Sequence, residues 1–209
     1  MKSIGIFGGT FDPVHLGHLI IAEQTRESLE LEKVVFIPNG NPPHKNSVNT
    51  DKNYRLAMIQ LAIEDNPHFA VSEIETNKTG PSFTVDTIAS LKKVFNKEIF
   101  FIMGADSLIS IKTWERYEEL LGMCNFAVFP RITKTKNGLA QHQDKELLEI
   151  WIKNNLDAES KFSFIDFPML DISSTEVRKK LKENKSLKYL VPDQVISYIN
   201  EKNLYRNIV

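Results

Sequence analysis

The sequence predicts an α/β fold: a doubly wound parallel sheet with helices on both faces and a small helical C-terminal subdomain. Three observations carry that expectation. Short apolar runs alternate along the chain with segments of helical periodicity, as strands buried on both faces alternate with covering helices. The first apolar run, 4–7, ends on Gly8 and Gly9 and passes straight into a helix. The 209 residues suit one domain with a sizeable core, and no repeat or linker divides them. Residues 1–209 therefore read as a single domain, with about 171–209 as the subdomain.

The elements follow in order. Residues 4–7 read as a strand, and Leu16, Leu19 and Ile20 fall at helical spacing in a helix from His15 to about Ser28. Residues 34–37 are a second buried strand, stopped by Pro38, and 39–53 is a polar loop. Leu56, Ile59 and Ile63 put 54–64 in a helix. A short strand at 69–72 and a loop at 76–82 lead to a helix at 84–95, faced by Val85, Ile88, Leu91 and Phe95. A strongly apolar strand, 99–103, ends at Gly104. Beyond it we expect a helix at 114–121, a strand at 126–129, a surface loop at 131–144, a helix at 145–152, a strand at 162–165, and helices at 174–182 and 193–200. The order is Rossmann-like, and ligands of such sheets collect at the carboxyl ends of the strands beside a topological switch point.

Composition narrows the function by exclusion. Apolar residues make up 42% and charged residues 25%, as in ordinary globular proteins. With 26 Lys+Arg against 27 Asp+Glu there is no basic excess, so no nucleic-acid partner is expected. No apolar stretch approaches the ~20 residues of a membrane span, and 4–7 is too short for a signal peptide. The expectation is a cytoplasmic protein with no membrane partner. The single cysteine, Cys124, lies in the apolar run 123–129 and reads as core. A homodimer is compatible with the sequence.

Chemistry concentrates at 8–18, where Gly8, Gly9, Thr10, Phe11, Asp12, Pro13, Val14, His15, Leu16, Gly17 and His18 join a strand to a helix. Two glycines let the backbone approach a ligand, and the helix offers its N–H groups and positive end to the same place. His15 and His18, three apart, share a face, and Gly17 leaves room for a bulky ligand. The arrangement suits polyphosphate and follows neither the P-loop nor the dinucleotide glycine pattern. A metal site of His15, His18 and Asp12 is the competing reading, opposed by the positive helix end and by the lack of a further ligand.

A second segment, Ile172-Ser173-Ser174-Thr175-Glu176-Val177-Arg178, contains a capping box with Ser173 as N-cap and Glu176 three residues on. Its capped end also suits an anion, which Arg178, four residues after Ser174, can reach. Gly104 and Asp106 end the strand 99–103, where a carboxylate suits ribose hydroxyls. Lys45 supplies a cation after the second strand, and Ser82 and Thr84 precede a helix N-terminus that can face an anion. Trp114 can stack on a flat ring. Each of these also has a plain structural reading, as loop charge, cap or core.

Gly9-Thr-Phe-Asp-Pro-x-His15-x-Gly17-His18 together with Ile172-Ser-Ser-Thr-x-x-Arg178 resembles the nucleotidyltransferase superfamily that includes class I aminoacyl-tRNA synthetases. Within it the chain is similar to the bacterial nicotinate mononucleotide adenylyltransferases. Gly80-Pro-Ser-Phe-Thr-Val-Asp-Thr87, Met103-Gly-Ala-Asp-Ser107 and the Trp114 region match that family, with Phe83 where relatives often carry tyrosine. The resemblance implies that ATP and nicotinate mononucleotide, with Mg²⁺, give deamido-NAD and pyrophosphate. It assigns Gly8, Gly9, Thr10, Phe11, His15, His18, Gly104, Asp106, Ile172, Ser173, Ser174, Thr175 and Arg178 to ATP. It assigns Asp12, Lys45, Ser82, Thr84 and Trp114 to the acceptor. For catalysis we expect His18, protonated, with His15 and Arg178, aided by helix N–H groups and Mg²⁺, and no protein ligand of that ion is named. Nicotinamide mononucleotide as acceptor, phosphopantetheine adenylyl transfer and a non-catalytic nucleotide sensor are the alternatives.

Overall fold

The structure is a computed structural model that describes residues 2–40, 50–129, 132–134, 140–142, 145–166 and 171–206. In chain order the elements are β1 (Ile4–Gly9), α1 (Leu16–Ser28), β2 (Val34–Pro38), α2 (Lys52–Ile63), β3 (Phe69–Val71), α3 (Thr84–Phe95), β4 (Ile99–Gly104), α4 (Ala105–Ile109), α5 (Tyr117–Met123), β5 (Asn125–Phe129), β6 (Ile132–Lys134), β7 (Ala140–His142), α6 (Lys145–Asn155), β8 (Phe162–Phe164), α7 (Ser174–Lys182) and α8 (Asp193–Glu201). Short 3₁₀ turns at Ile111–Thr113 and Glu159–Lys161 complete the set.

Six strands pair in parallel in the order β3-β2-β1-β4-β5-β8. The chain builds outward from β1 on one side and returns at β4 to build on the other, so the switch point lies between β1 and β4. Alternate residues of each central strand enter different cores. Phe7, Val34 and Phe36 join Ala22, Met58, Ile59, Val177 and Val195 on one face. Ile4, Ile6, Val35 and Ile37 join Val85, Ile88, Leu91, Leu108 and Ile152 on the other. Burial on both faces explains why these strands are continuously apolar. The α/β doubly wound architecture is thus the one the sequence predicts, and α7 and α8 pack into the same cluster as α1 and α2.

Gly104 ends β4 as expected and is the extended N-cap of α4, with Asp106 in the first turn, where its charge complements the helix end. Two local expectations are corrected. The helix expected at 114–121 starts only at Tyr117, behind a left-handed Arg116 (φ 49°), because Trp114 is drawn into an edge-to-face contact with Phe101. The surface loop expected at 131–144 contains the antiparallel pair β6–β7, whose three-residue strands are too short to show a period.

Cys124 is buried, and burial pushes its thiol up to about 12. It therefore stays protonated at about pH 8 and should not react with an aqueous thiol reagent until the protein is denatured. Labelling of the native protein at the denatured rate would contradict this packing.

Candidate active site

A cleft of about 610 Å³ opens at the carboxyl ends of β1 and β4. That volume falls in the range of small-ligand sites. Gly8, Gly9, Thr10, Phe11, Asp12, His15 and His18 line one wall, and Ser173, Ser174, Thr175 and Arg178 line another. Gly104 and Asp106 contribute from the end of β4, while Ser82, Thr84 and Trp114 line the remaining side. Lys45 lies outside the described residues. Ile172 is absent from the lining: its Cβ sits 3.7 Å from where a side chain on Gly17 would begin.

The two motifs are joined directly. Ser174 Oγ donates to the carbonyl of Pro13 at 2.9 Å, and Arg178 donates to the carbonyl of Asp12 at 2.6 Å. These bonds span 161 and 166 residues of sequence. Arg178 also lies 3.4 Å from Thr175 Oγ1. Ser173 caps α7 by accepting from the Glu176 N–H at 3.2 Å, as the sequence predicts.

Around the histidines the structure changes the expected details. His15 is the extended N-cap of α1 and not a helical residue, yet its ring stacks on His18 with centroids 3.7 Å apart. His18 Nδ1 accepts the backbone N–H of His15 at 3.2 Å. The bond fixes the ring of His18 at its Nδ1 edge. Gly17 makes room mainly for His15, whose Nδ1 would lie 3.1 Å from a Cβ at that position. Gly9 makes room for Phe11, whose ring would lie 2.8 Å from a Cβ there. Phe11 itself is left-handed (φ 50°) and tucks its ring between Phe7, Phe36 and His18. The helix end is also less open than expected, since the Leu16 N–H donates to the carbonyl of Leu190 at 2.9 Å.

The family model described as cytidylyltransferase-like matches residues 6–180. A protein of Caldicellulosiruptor saccharolyticus described as "probable nicotinate-nucleotide adenylyltransferase" is 40% identical over 203 residues, which cover 97% of this chain and 98% of that protein. One of Moorella thermoacetica with the same description is 41% identical over 206 residues, covering 97% and 91%. The chain belongs to the nicotinate-nucleotide adenylyltransferase family. Its fold is also that of Plasmodium falciparum nicotinic acid mononucleotide adenylyltransferase complexed with NaAD, with a TM-score of 0.76 at 22% identity over 98% of both chains.

Several residues that shape this adenylyltransferase cleft escape the sequence patterns. Arg55 is 1% exposed and donates to the carbonyls of Thr10 at 2.8 Å, Asn39 at 2.7 Å and Thr50 at 3.2 Å. It ties the ends of β1 and β2 together from beneath. Burial lowers its pKa, opposed mainly by the charge of Asp12, and a guanidinium so placed still keeps its proton. A signal existed: Arg55 stands four before Ile59, on the face of α2 that Ile59 and Ile63 bury. Tyr205 donates to Asp12 Oδ1 at 2.7 Å, and burial pushes its phenol far above its ordinary range. No local pattern could have linked residues 193 apart.

Proposed function

We propose that this chain transfers the adenylyl group of ATP to the 5′-phosphate of nicotinate mononucleotide. A phosphate oxygen of the mononucleotide forms a bond to the α-phosphorus of ATP. The bond from that phosphorus to the bridging oxygen breaks, releasing pyrophosphate. The nucleophile is already an anion at neutral pH, so no general base is needed. The work lies in holding two anions in line and stabilising the charge that builds on the phosphates.

The observation that carries this reading is the bonding of Ser174 and Arg178 to the backbone of Pro13 and Asp12, which gathers phosphate-type donors on one rim. In the proposed arrangement the Nε2–H of His18, with His15, faces the phosphates, and Arg178 contributes the fixed positive charge. Asp106 faces the ribose of ATP. Asp12, Lys45, Ser82, Thr84 and Trp114 belong to the acceptor side, where N–H groups at the start of α3 suit a carboxylate.

Magnesium fits the donor set as an ion carried in on ATP. Among the described residues no three His, Cys, Asp or Glu side chains are grouped to hold a metal. Mg²⁺ commonly takes only one or two carboxylates and fills its shell with phosphate oxygens and water. The ion supplies neutralisation of the phosphate charge. Among the described residues no helix is long and apolar enough to cross a membrane, and consumption of ATP suits the cytoplasm.

Purified protein given ATP and Mg²⁺ should release pyrophosphate only when a mononucleotide is added, and faster with nicotinate than with nicotinamide mononucleotide. Pyrophosphate release without acceptor, or preference for the amide, would sink the assignment.

A further inference from the structure

A carboxyl group that the reaction does not use lies buried beside the acceptor side of the cleft. Glu75, between β3 and α3, is 6% exposed. Its Oε1 lies 2.8 Å from Thr87 Oγ1, and the backbone N–H of Gly40 donates to its carboxyl group. Among the described residues its buried Oε2 has no hydrogen-bond partner, and neither has Oγ of Ser82, itself 7% exposed. Both residues line the cleft. Thr87 Oγ1 is also 3.3 Å from the carbonyl of Phe83, the residue that caps α3. Lys78 is the nearby cation that acts on Glu75, and among the described residues no ion pair forms with it.

Burial decides the state. An ionised Glu75 would be a buried charge that forms no ion pair among the described residues. A protonated Glu75 can donate its O–H to Thr87 Oγ1, whose hydroxyl can then turn to the Phe83 carbonyl, which also accepts the N–H groups of Asp86 and Thr87. Burial, the largest influence on this carboxyl, pushes its pKa in the same direction. The backbone agrees with a fixed joint here: a Cβ on Gly40 would stand 2.1 Å from the Glu75 carbonyl oxygen, so only glycine permits the contact.

We propose that Glu75 is a positioning residue for the acceptor. Held as a neutral acid, it ties the turn after β2 to the first turn of α3 and keeps negative charge away from the place that receives an acidic mononucleotide. This rests on the acceptor being nicotinate mononucleotide. Glutamine is the neutral isostere: its amide N–H can replace the acid proton toward Thr87.

The test compares wild type, E75A and E75Q in the full chain. E75A is expected to raise KM for nicotinate mononucleotide by about tenfold or more while KM for ATP stays within about twofold. E75Q should bring the acceptor KM back to within about threefold of wild type. An unchanged acceptor KM in E75A overturns the proposal, and so does E75Q as impaired as E75A, since the charge would then be required. If E75A does not fold, E75Q alone decides by the same criterion. Infrared difference spectra of wild type minus E75Q should show the C=O band of a protonated carboxyl at neutral pH, and a carboxylate band there overturns the proposal. If wild type forms no deamido-NAD, the functional assignment fails, while the infrared result still decides the state of Glu75.

Discussion

His18→Ala is expected to lower kcat by roughly 10²–10³ while KM for ATP changes by less than about tenfold. In the proposed mechanism the Nε2–H meets charge that grows as the pyrophosphate leaves, so its contribution is larger in the transition state than in the bound substrate. The orientation of that donor is fixed at the other end of the ring, where Nδ1 takes the His15 N–H. His18→Gln offers a neutral amide donor and should recover part of the rate. His18→Lys, which brings a charge without the imidazole geometry, should recover less. Steady-state kinetics in both substrates separates these outcomes. A loss confined to KM, or better rescue by lysine than by glutamine, would show that His18 acts by binding or by net charge.

Arg55→Ala should have the largest effect on stability, about 3–5 kcal/mol, because it strands several buried carbonyls at once. For a chain of this size that is a fall in melting temperature of roughly 10 °C or more. Arg55→Lys should recover only a minor part, since one ammonium cannot reach groups arranged around a planar fork. The carbonyls of Thr10, Asn39 and Thr50 belong to three separate turns, so activity should fall further than the loss of folded protein explains. Differential scanning calorimetry beside activity per folded molecule tests both halves. A melting temperature within a few degrees of wild type would mean that water replaces the guanidinium.

Much of this molecule is legible locally. Helices α3 and α7 begin and end where apolar spacing and the Ser173 capping box put them. The central strands are found because burial on both faces leaves no polar residue to interrupt them. Both cleft-lining motifs are visible because glycines, histidines and capping hydroxyls sit at short fixed spacing. What sequence misses is set by tertiary contact. Nothing near His18 says that its Nδ1 is occupied, and nothing near Trp114 says that Phe101 interrupts a helix. Glu75 stands in a polar stretch without a period, and its burial follows from the meeting of Gly40 and α3 above it.

The bond between Tyr205 and Asp12 has a bearing on how the protein is made. Asp12 leaves the ribosome 193 residues before its partner. The carbonyl of Leu190, which receives the Leu16 N–H, is nearly as far behind. Strands β1 and β2 can pair before α8 is made, but the loop that carries the histidines waits for Leu190 and Tyr205. A nascent chain therefore carries an unfinished cleft until Tyr205 has emerged, and contacts of such long sequence separation are the ones that slow folding.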